Sequence, residues 1–256
     1  MDSELAYVGP VVAFDLDDTL YSESDFLKSG FRAVAQMAFP LLKHTSYTDI
    51  DSLHNALIEV YGKGRNAFDW LAEQVEADSQ AFINECVKTY RFHTPEIKPY
   101  TGVLSLLQSL SENGVRMGII TDGRALSQRN KIRALGIEKF FAPENIFISE
   151  ECGCDKTSID SWQMLVHHYP NACRFVYVGD NPAKDFRIPN MLGWTTIGLR
   201  DRGDNIHPQI LSDNPLDAPQ LWIDDIHDLL SAICGLDNWT HLNINAGHIL
   251  DELDLK

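Results

Sequence analysis

The stretch Val11-Val12-Ala13-Phe14-Asp15-Leu16-Asp17-Asp18-Thr19-Leu20 begins as an apolar run and ends abruptly in three carboxylates and a threonine. From Val11 to Leu16 it is short, rich in β-branched residues and apolar, which predicts a buried parallel strand and not a helix. The end of such a strand should open onto a cleft. Like charges crowded there repel one another, and a bound divalent cation relieves the repulsion while finding hard oxygen ligands, with Mg²⁺ the natural candidate. Taken alone, Asp17-Asp18-Thr19 is also compatible with a polar turn after a strand, so the rest of the chain has to decide.

A chain of 256 residues can bury a sizeable core, and the length suits one large domain or a domain carrying a smaller insert. Its 21 basic residues against 37 acidic ones give a net charge of −16. With no Lys/Arg cluster, that balance argues against a nucleic-acid partner and against an anionic membrane surface. A small anionic substrate stays compatible with it, because a metal and a few local cations reverse the field inside a pocket. The start Met1-Asp2-Ser3-Glu4 carries no basic region followed by a long apolar segment, and nothing approaches the length of a membrane-spanning helix. Five cysteines without framework spacing suit a reducing compartment, and a cytoplasmic location is expected. Cys152-Gly153-Cys154 lacks the second ligand pair of a zinc site and is read as structural.

After the first strand the period changes. Leu27, Phe31, Val34 and Ala38 share one helical face; Ile50, Leu53, Leu57 and Val60 share a second; Phe68, Leu71 and Val75 a third; Ile83, Cys86 or Val87, and Tyr90 a fourth. Four amphipathic segments predict a helical bundle inserted at residues 21–95, with Thr94-Pro95 and Lys98-Pro99 as its exit. Gly62 and Gly64 make no phosphate loop, since no strand precedes them and no GKS/T follows. From Tyr100 onward, helices alternate with strands expected at Val115 to Ile120, Ile146 to Ile148, Phe175 to Val178 and Thr195 to Leu199. Helices are expected through Ile132 and Leu135, near Ser158 to His168, near Ala183 to Leu192, and closing the fold from Trp222 to Ile233. The fold class is therefore α/β, a Rossmann-like, mostly parallel sheet with helices on both faces and an inserted all-helical domain. Its core is assigned to residues 1–20 and 96–234, leaving 235–256 as a polar, acidic extension with no functional reading.

In open parallel sheets, ligands bind outside the carboxyl ends of the strands. Polar groups gather at four such ends here. Asp15 and Asp17 follow the first strand, Thr121-Asp122-Gly123 the second, Lys156 lies in the loop after the third, and Gly179-Asp180-Asn181-Pro182-Ala183-Lys184-Asp185 follows the fourth. In that order the groups resemble the four motifs of the haloacid dehalogenase superfamily, in the subgroup with a helical cap after the first core strand. DxDxT falls on Asp15 to Thr19, the strand-ending Thr on Thr121, the lysine on Lys156, and GDxxxxD on Gly179 to Asp185. The residue after Lys156 is Thr157, where the family usually has proline, so the geometry of that loop is left open.

The resemblance implies that Asp15 is the nucleophile, forming an aspartyl-phosphate, and that Asp17 protonates the leaving alcohol and then deprotonates the attacking water. Mg²⁺ would be held by the Asp15 carboxylate, the Asp17 main-chain carbonyl and Asp180. Thr121 with the amides of Asp122 and Gly123 would bind phosphoryl oxygens, and Lys156 would offset negative charge. Asp185 would orient Lys156 or a metal-bound water. Family dehalogenases lack a carboxylate at the position of Asp17, so phosphoryl transfer is expected in place of dehalogenation. The expected activity is Mg²⁺-dependent hydrolysis of a small-metabolite phosphomonoester. A phosphosugar mutase and a non-catalytic binding protein remain as alternatives. Arg32, Lys63 and Arg65 of the cap are candidates for substrate selection if they face inward.

Overall fold

The computed structural model describes residues 6–42, 47–75 and 79–234. The opening residues Met1 to Glu4 and the extension 235–256 lie outside the described residues. Two compact units are present. One runs to Ser22 and resumes at Lys98, and the other is Glu23–Ile97.

The first unit is built on a six-stranded, wholly parallel sheet. Its strands are β1 (Pro10–Phe14), β2 (Arg116–Thr121), β3 (Ile146–Ile148), β4 (Arg174–Gly179), β5 (Thr195–Leu199) and β6 (Leu221–Ile223), in the spatial order β3-β2-β1-β4-β5-β6. That order reverses direction at β1, whose neighbours lead to opposite edges, and the crevice at such a switch point is where doubly wound sheets bind ligands. Register is fixed by Phe14 lying opposite both Ile119 and Val178. Every residue of β1 is buried, as its unbroken apolar run requires.

Helices α5 (Val103–Glu112), α6 (Ala125–Ala134), α7 (Ser149–Cys152), α8 (Ile159–His168) and α9 (Arg187–Met191) lie between the strands in the chain, and α10 (Asp228–Cys234) follows β6. These labels follow four helices of the second unit: α1 (Glu23–Ala38), α2 (Ile50–Gly62), α3 (Ala67–Val75) and α4 (Ser79–Phe92). One face of the sheet packs Val11, Ala13, Ile120 and Tyr177 against Trp162, Leu165 and Trp194. The rings of Trp162 and Tyr177 meet edge to face with centroids 4.6 Å apart, a geometry favoured by the aromatic quadrupole.

Two expected helices change. The closing helix expected from Trp222 to Ile233 splits into β6, which pairs with β5 through Ile197 opposite Leu221 and Leu199 opposite Ile223, and the later helix α10. The helix expected near Ala183 to Leu192 shortens to α9, because Asp185 folds back to accept the amides of Asp180 and Asn181 at 3.1 and 2.7 Å and holds the preceding residues in a turn. In the second unit the expected apolar faces are buried at Leu27, Phe31, Val34, Leu53, Leu57, Leu71 and Cys86, but α4 buries Phe82 more deeply than Ile83. Among the described residues no helix is long and apolar enough to cross a membrane.

Candidate active site

Asp15 follows β1 directly, and its amide, donating to Val178 O at 2.8 Å, ties it to β4 at the carboxyl end of the sheet. The chain then turns sharply. Leu20 N bonds to Leu16 O at 3.0 Å, and Asp18 takes a left-handed conformation with φ of 52°, tolerable for aspartate. Asp18 accepts the Ile206 amide at 2.9 Å and is part of that turn.

Lys156 is the hub of one side of the site. Its Nζ lies 2.7 Å from Asp15 Oδ1 and 2.7 Å from Asp185 Oδ1, all three residues being buried. Burial by itself lowers a lysine pKa, but the two carboxylates outweigh it and hold Lys156 well above its ordinary value. The loop carrying Lys156 is fixed by its own amide donating to Asp122 Oδ1 at 3.1 Å and by Trp162 Nε1 donating to Lys156 O at 3.0 Å. Thr157 gives its amide to Asp155 Oδ1 at 2.9 Å, a bond that proline could not make. This is how the loop is shaped without the usual residue.

Asp185, fully buried, accepts from Lys156 Nζ and from the Asp180 and Asn181 amides, with the Tyr177 hydroxyl 3.2 Å from its Oδ1. Gly179 makes this packing feasible, since a Cβ there would sit 2.5 Å from Asp185 Oδ2. Carboxylate oxygens of Asp15, Asp180 and Asp185 lie within 4.8 Å of one another. Burial, then the neighbouring carboxylates, push Asp180 up to about 9; burial pushes Asp15 up to about 7 despite Lys156. Such a cluster of hard oxygens with more negative charge than one lysine balances fits a divalent cation. Asp185 is already saturated with donors, so Asp15 and Asp180 are the carboxylates suited to ligation.

Asp17 has a separate set of partners. Its carboxylate accepts from Lys131 Nζ at 2.7 Å, Gln128 Nε2 at 2.9 Å and the Tyr21 hydroxyl. Burial pushes its pKa up, but Lys131 and these hydrogen bonds prevail and hold it below the usual carboxylate range. Thr121 ends β2, and its Oγ1 lies 2.9 Å from Gln128 Nε2. Asp122 braces the site, accepting from the Lys156 amide and from Lys184 Nζ at 3.1 Å. The Gly123 amide is donated to Ser149 Oγ at 2.9 Å.

The family model for haloacid dehalogenase-like hydrolases matches residues 12–198. The chain belongs to that family. Over 235 residues it is 31% identical to a glyceraldehyde 3-phosphate phosphatase of Methanopyrus kandleri, covering 87% of this chain and 96% of the relative. A glyceraldehyde 3-phosphate phosphatase of Methanocaldococcus jannaschii is 26% identical over 223 residues, covering 85% of this chain and 97% of the relative. Among solved structures, the Bacillus subtilis protein YfnB bound to magnesium shares the fold, with a TM-score of 0.57, 16% identity and coverage of 89% of this chain and 99% of that one.

Several contributors to this hydrolase's site escape sequence reasoning. Gln128 and Lys131 stand with Ile132 and Leu135 at the i, i+3, i+4, i+7 positions of a buried helical face. Two polar side chains on an inward stripe were the available signal. Asn205 donates to Asp180 Oδ2 at 2.7 Å, and Gln209 to Asp180 O at 2.8 Å. Their loop is shaped by Asp201 Oδ1, which accepts the amides of Gly203, Asp204 and Asn205. Among the cap candidates, Arg32 pairs with Asp51 at 2.7 Å and Lys63 with Glu59 at 2.5 Å. Arg65 instead lines a cavity of about 410 Å³ within the helical unit, beside Phe31, Tyr61, Phe68 and Tyr90.

Proposed function

We propose that this chain is a Mg²⁺-dependent phosphatase that hydrolyses a small phosphorylated metabolite through a phosphoryl-Asp15 intermediate. The observation that carries the reading is the buried Asp15 carboxylate 2.7 Å from Lys156, beside Asp180, at the end of β1. An Asp15 oxygen attacks phosphorus, the P–O bond to the alcohol breaks, and Asp17, ionised in the free protein by its pairing with Lys131, relays to the departing oxygen the proton that the phosphomonoester monoanion brings into the site. In the second step Asp17 takes a proton from water, whose oxygen attacks the phosphorus and displaces the Asp15 carboxylate. Lys156 offsets charge on nucleophile and phosphoryl group, and Asp185 holds Lys156 in place. Thr121 hydrogen-bonds a phosphoryl oxygen, with the Asp122 amide as a further candidate, while the Gly123 amide is already donated to Ser149 Oγ. Mg²⁺, held by the Asp15 and Asp180 carboxylates and the Asp17 carbonyl, supplies neutralisation of phosphoryl charge when bound.

The helical unit Glu23–Ile97 acts in this reading as a cap that selects the substrate, with Arg65 as its candidate cation. Relatives named glyceraldehyde 3-phosphate phosphatase make that triose phosphate the first compound to try.

The test is phosphate release with and without Mg²⁺ across a panel of phosphomonoesters that includes glyceraldehyde 3-phosphate and phosphoglycolate. Asp15→Asn should lose on the order of 10⁴-fold or more in kcat, as removal of a nucleophile does elsewhere. No release from any ester by the wild type, or full activity in Asp15→Asn, would sink the reading. A mutase would be recognised by isomerised sugar phosphate in excess of free phosphate.

A further inference from the structure

Helix α6 turns Gln128 and Lys131 inward, and both side chains are almost wholly buried. Burying a lysine and an amide is unfavourable compared with filling the same space with apolar groups. Among the described residues Gln128 Oε1 has no hydrogen-bond partner, a further cost. What the pair obtains in return is contact with two residues of the proposed reaction. Gln128 Nε2 lies 2.9 Å from Asp17 Oδ2, 2.9 Å from Thr121 Oγ1 and 2.8 Å from Asp122 O. Two of these are acceptors only, which fixes the amide orientation, because the flipped amide would turn its oxygen onto a carboxylate and a carbonyl. The amide has two protons for these three acceptors, so Thr121 Oγ1 shares one of them, and because Nε2 accepts none, the Thr121 proton is directed elsewhere. Gly123 leaves the room: a Cβ there would stand 3.0 Å from Gln128 Nε2.

Lys131 completes the clamp. Its Nζ is 2.7 Å from Asp17 Oδ1 and 5.9 Å from the centre of the Tyr21 ring, while the Tyr21 hydroxyl bonds the same carboxylate. Asp17 is thus gripped on both oxygens by side chains that follow β1 and β2, and a tilt of its carboxylate plane away from these donors would break at least one of the three bonds.

We propose that Gln128 and Lys131 are positioning residues, aiming the Asp17 carboxyl at the departing oxygen and the Thr121 hydroxyl at the phosphoryl group. The proposal rests on the reading of Asp17 as acid/base. Lys131 acts only through Asp17, so its importance scales with how much the leaving group needs a proton. Gln128 acts through both Asp17 and Thr121, and its loss is felt by every ester.

The experiment measures kcat and KM of the full chain on an alkyl phosphate and on p-nitrophenyl phosphate, whose leaving group departs without a proton. Lys131→Met should lower kcat on the alkyl ester by about 10²-fold and on the aryl ester by only a few-fold, with KM little changed. Lys131→Arg, keeping a cation, should recover most of the loss. Gln128→Leu should lower kcat on both esters. The double variant Asp17→Asn/Lys131→Met should be no slower than Asp17→Asn alone, because a residue acting through another shows no independent effect. It also removes both charges together, so it remains informative if Lys131→Met by itself folds poorly. Equal losses on the two esters for Lys131→Met, or losses that multiply in the double variant, overturn the proposal and make Lys131 a scaffold residue. Wild-type rates for Asp17→Asn on the alkyl ester would overturn the acid/base reading beneath it instead.

Discussion

Asp15 and Asp17 leave the end of one strand two residues apart, and each meets a buried lysine at 2.7 Å, yet their carboxyls are driven in opposite directions. Asp15 is pushed up to about 7, while Asp17 is held below the ordinary range. Burial raises both, so burial is not the difference. Lys156 is shared between Asp15 and Asp185, with Asp180 adding a further carboxylate beside them. Lys131 serves Asp17 with two neutral donors in support, Gln128 and Tyr21. The ratio of carboxylates to cations therefore decides the sign. One side of the site carries excess negative charge and calls for a further cation, and the other is already balanced by the chain itself.

The sharpest way to break this comparison is to remove the shared lysine. Lys156→Met leaves Asp15 and Asp185 facing each other in a buried site, and loss of one partner of a buried ion pair costs about 3–5 kcal/mol. It also removes a cation aimed at the phosphoryl group, worth about 10²- to 10³-fold in kcat by analogy with a single oxyanion donor. Chemical denaturation and steady-state kinetics on the same preparation read both effects. A Lys156→Met protein as stable as the wild type would mean that the Asp15 side is not in charge excess.

The balanced and unbalanced sides were not equally legible in the sequence. Asp15, Thr121, Lys156 and Asp180 follow apolar strands whose composition announces them, and parallel sheets gather functional groups at such ends. Lys131 and Gln128 lie inside a helix whose most visible feature is an ordinary run of polar residues, and only their spacing with Ile132 and Leu135 marks them as inward. Asn205 sits in a loop whose shape depends on a single aspartate, Asp201, capping three successive amides. Nothing local in the sequence tells that this loop returns to Asp180. Strand β6 was hidden for another reason. Leu221-Trp222-Ile223 is too short to show a period of two, and its pairing with β5 comes from tertiary context.

The loop supplies the next test. Asn205 fixes the orientation of the Asp180 carboxylate from 2.7 Å, and loss of such a partner typically lowers metal affinity about 10- to 100-fold. Titration calorimetry with Mg²⁺ alone should show that loss for Asn205→Ala, and no comparable change for Gln128→Leu on the balanced side. Equal weakening in the two variants would erase the distinction between the sides.

The comparison also predicts a pH dependence of stability. Raised carboxyls bind protons more tightly folded than unfolded, so the metal-free protein should lose stability as pH rises from about 4 toward 9, by at most ~1.4 kcal/mol per pH unit for each group. Asp15 and Asp180 titrate inside that window. Asp17, with its lowered pKa, contributes stability that is fully present above the ordinary carboxylate range and is lost only in more acidic solution. Asp15→Asn should therefore flatten the slope of melting temperature against pH between 5 and 8, and Asp17→Asn should leave it. Mg²⁺ opposes the same repulsion without having to displace protons at high pH, so the rise in melting temperature it produces should be larger at pH 8 than at pH 5.5. At a hundred times its dissociation constant the stabilisation is about 2.7 kcal/mol. An Mg²⁺ shift independent of pH would mean that the cation does not bind at Asp15 and Asp180, and the charge-excess side would lose its defining property.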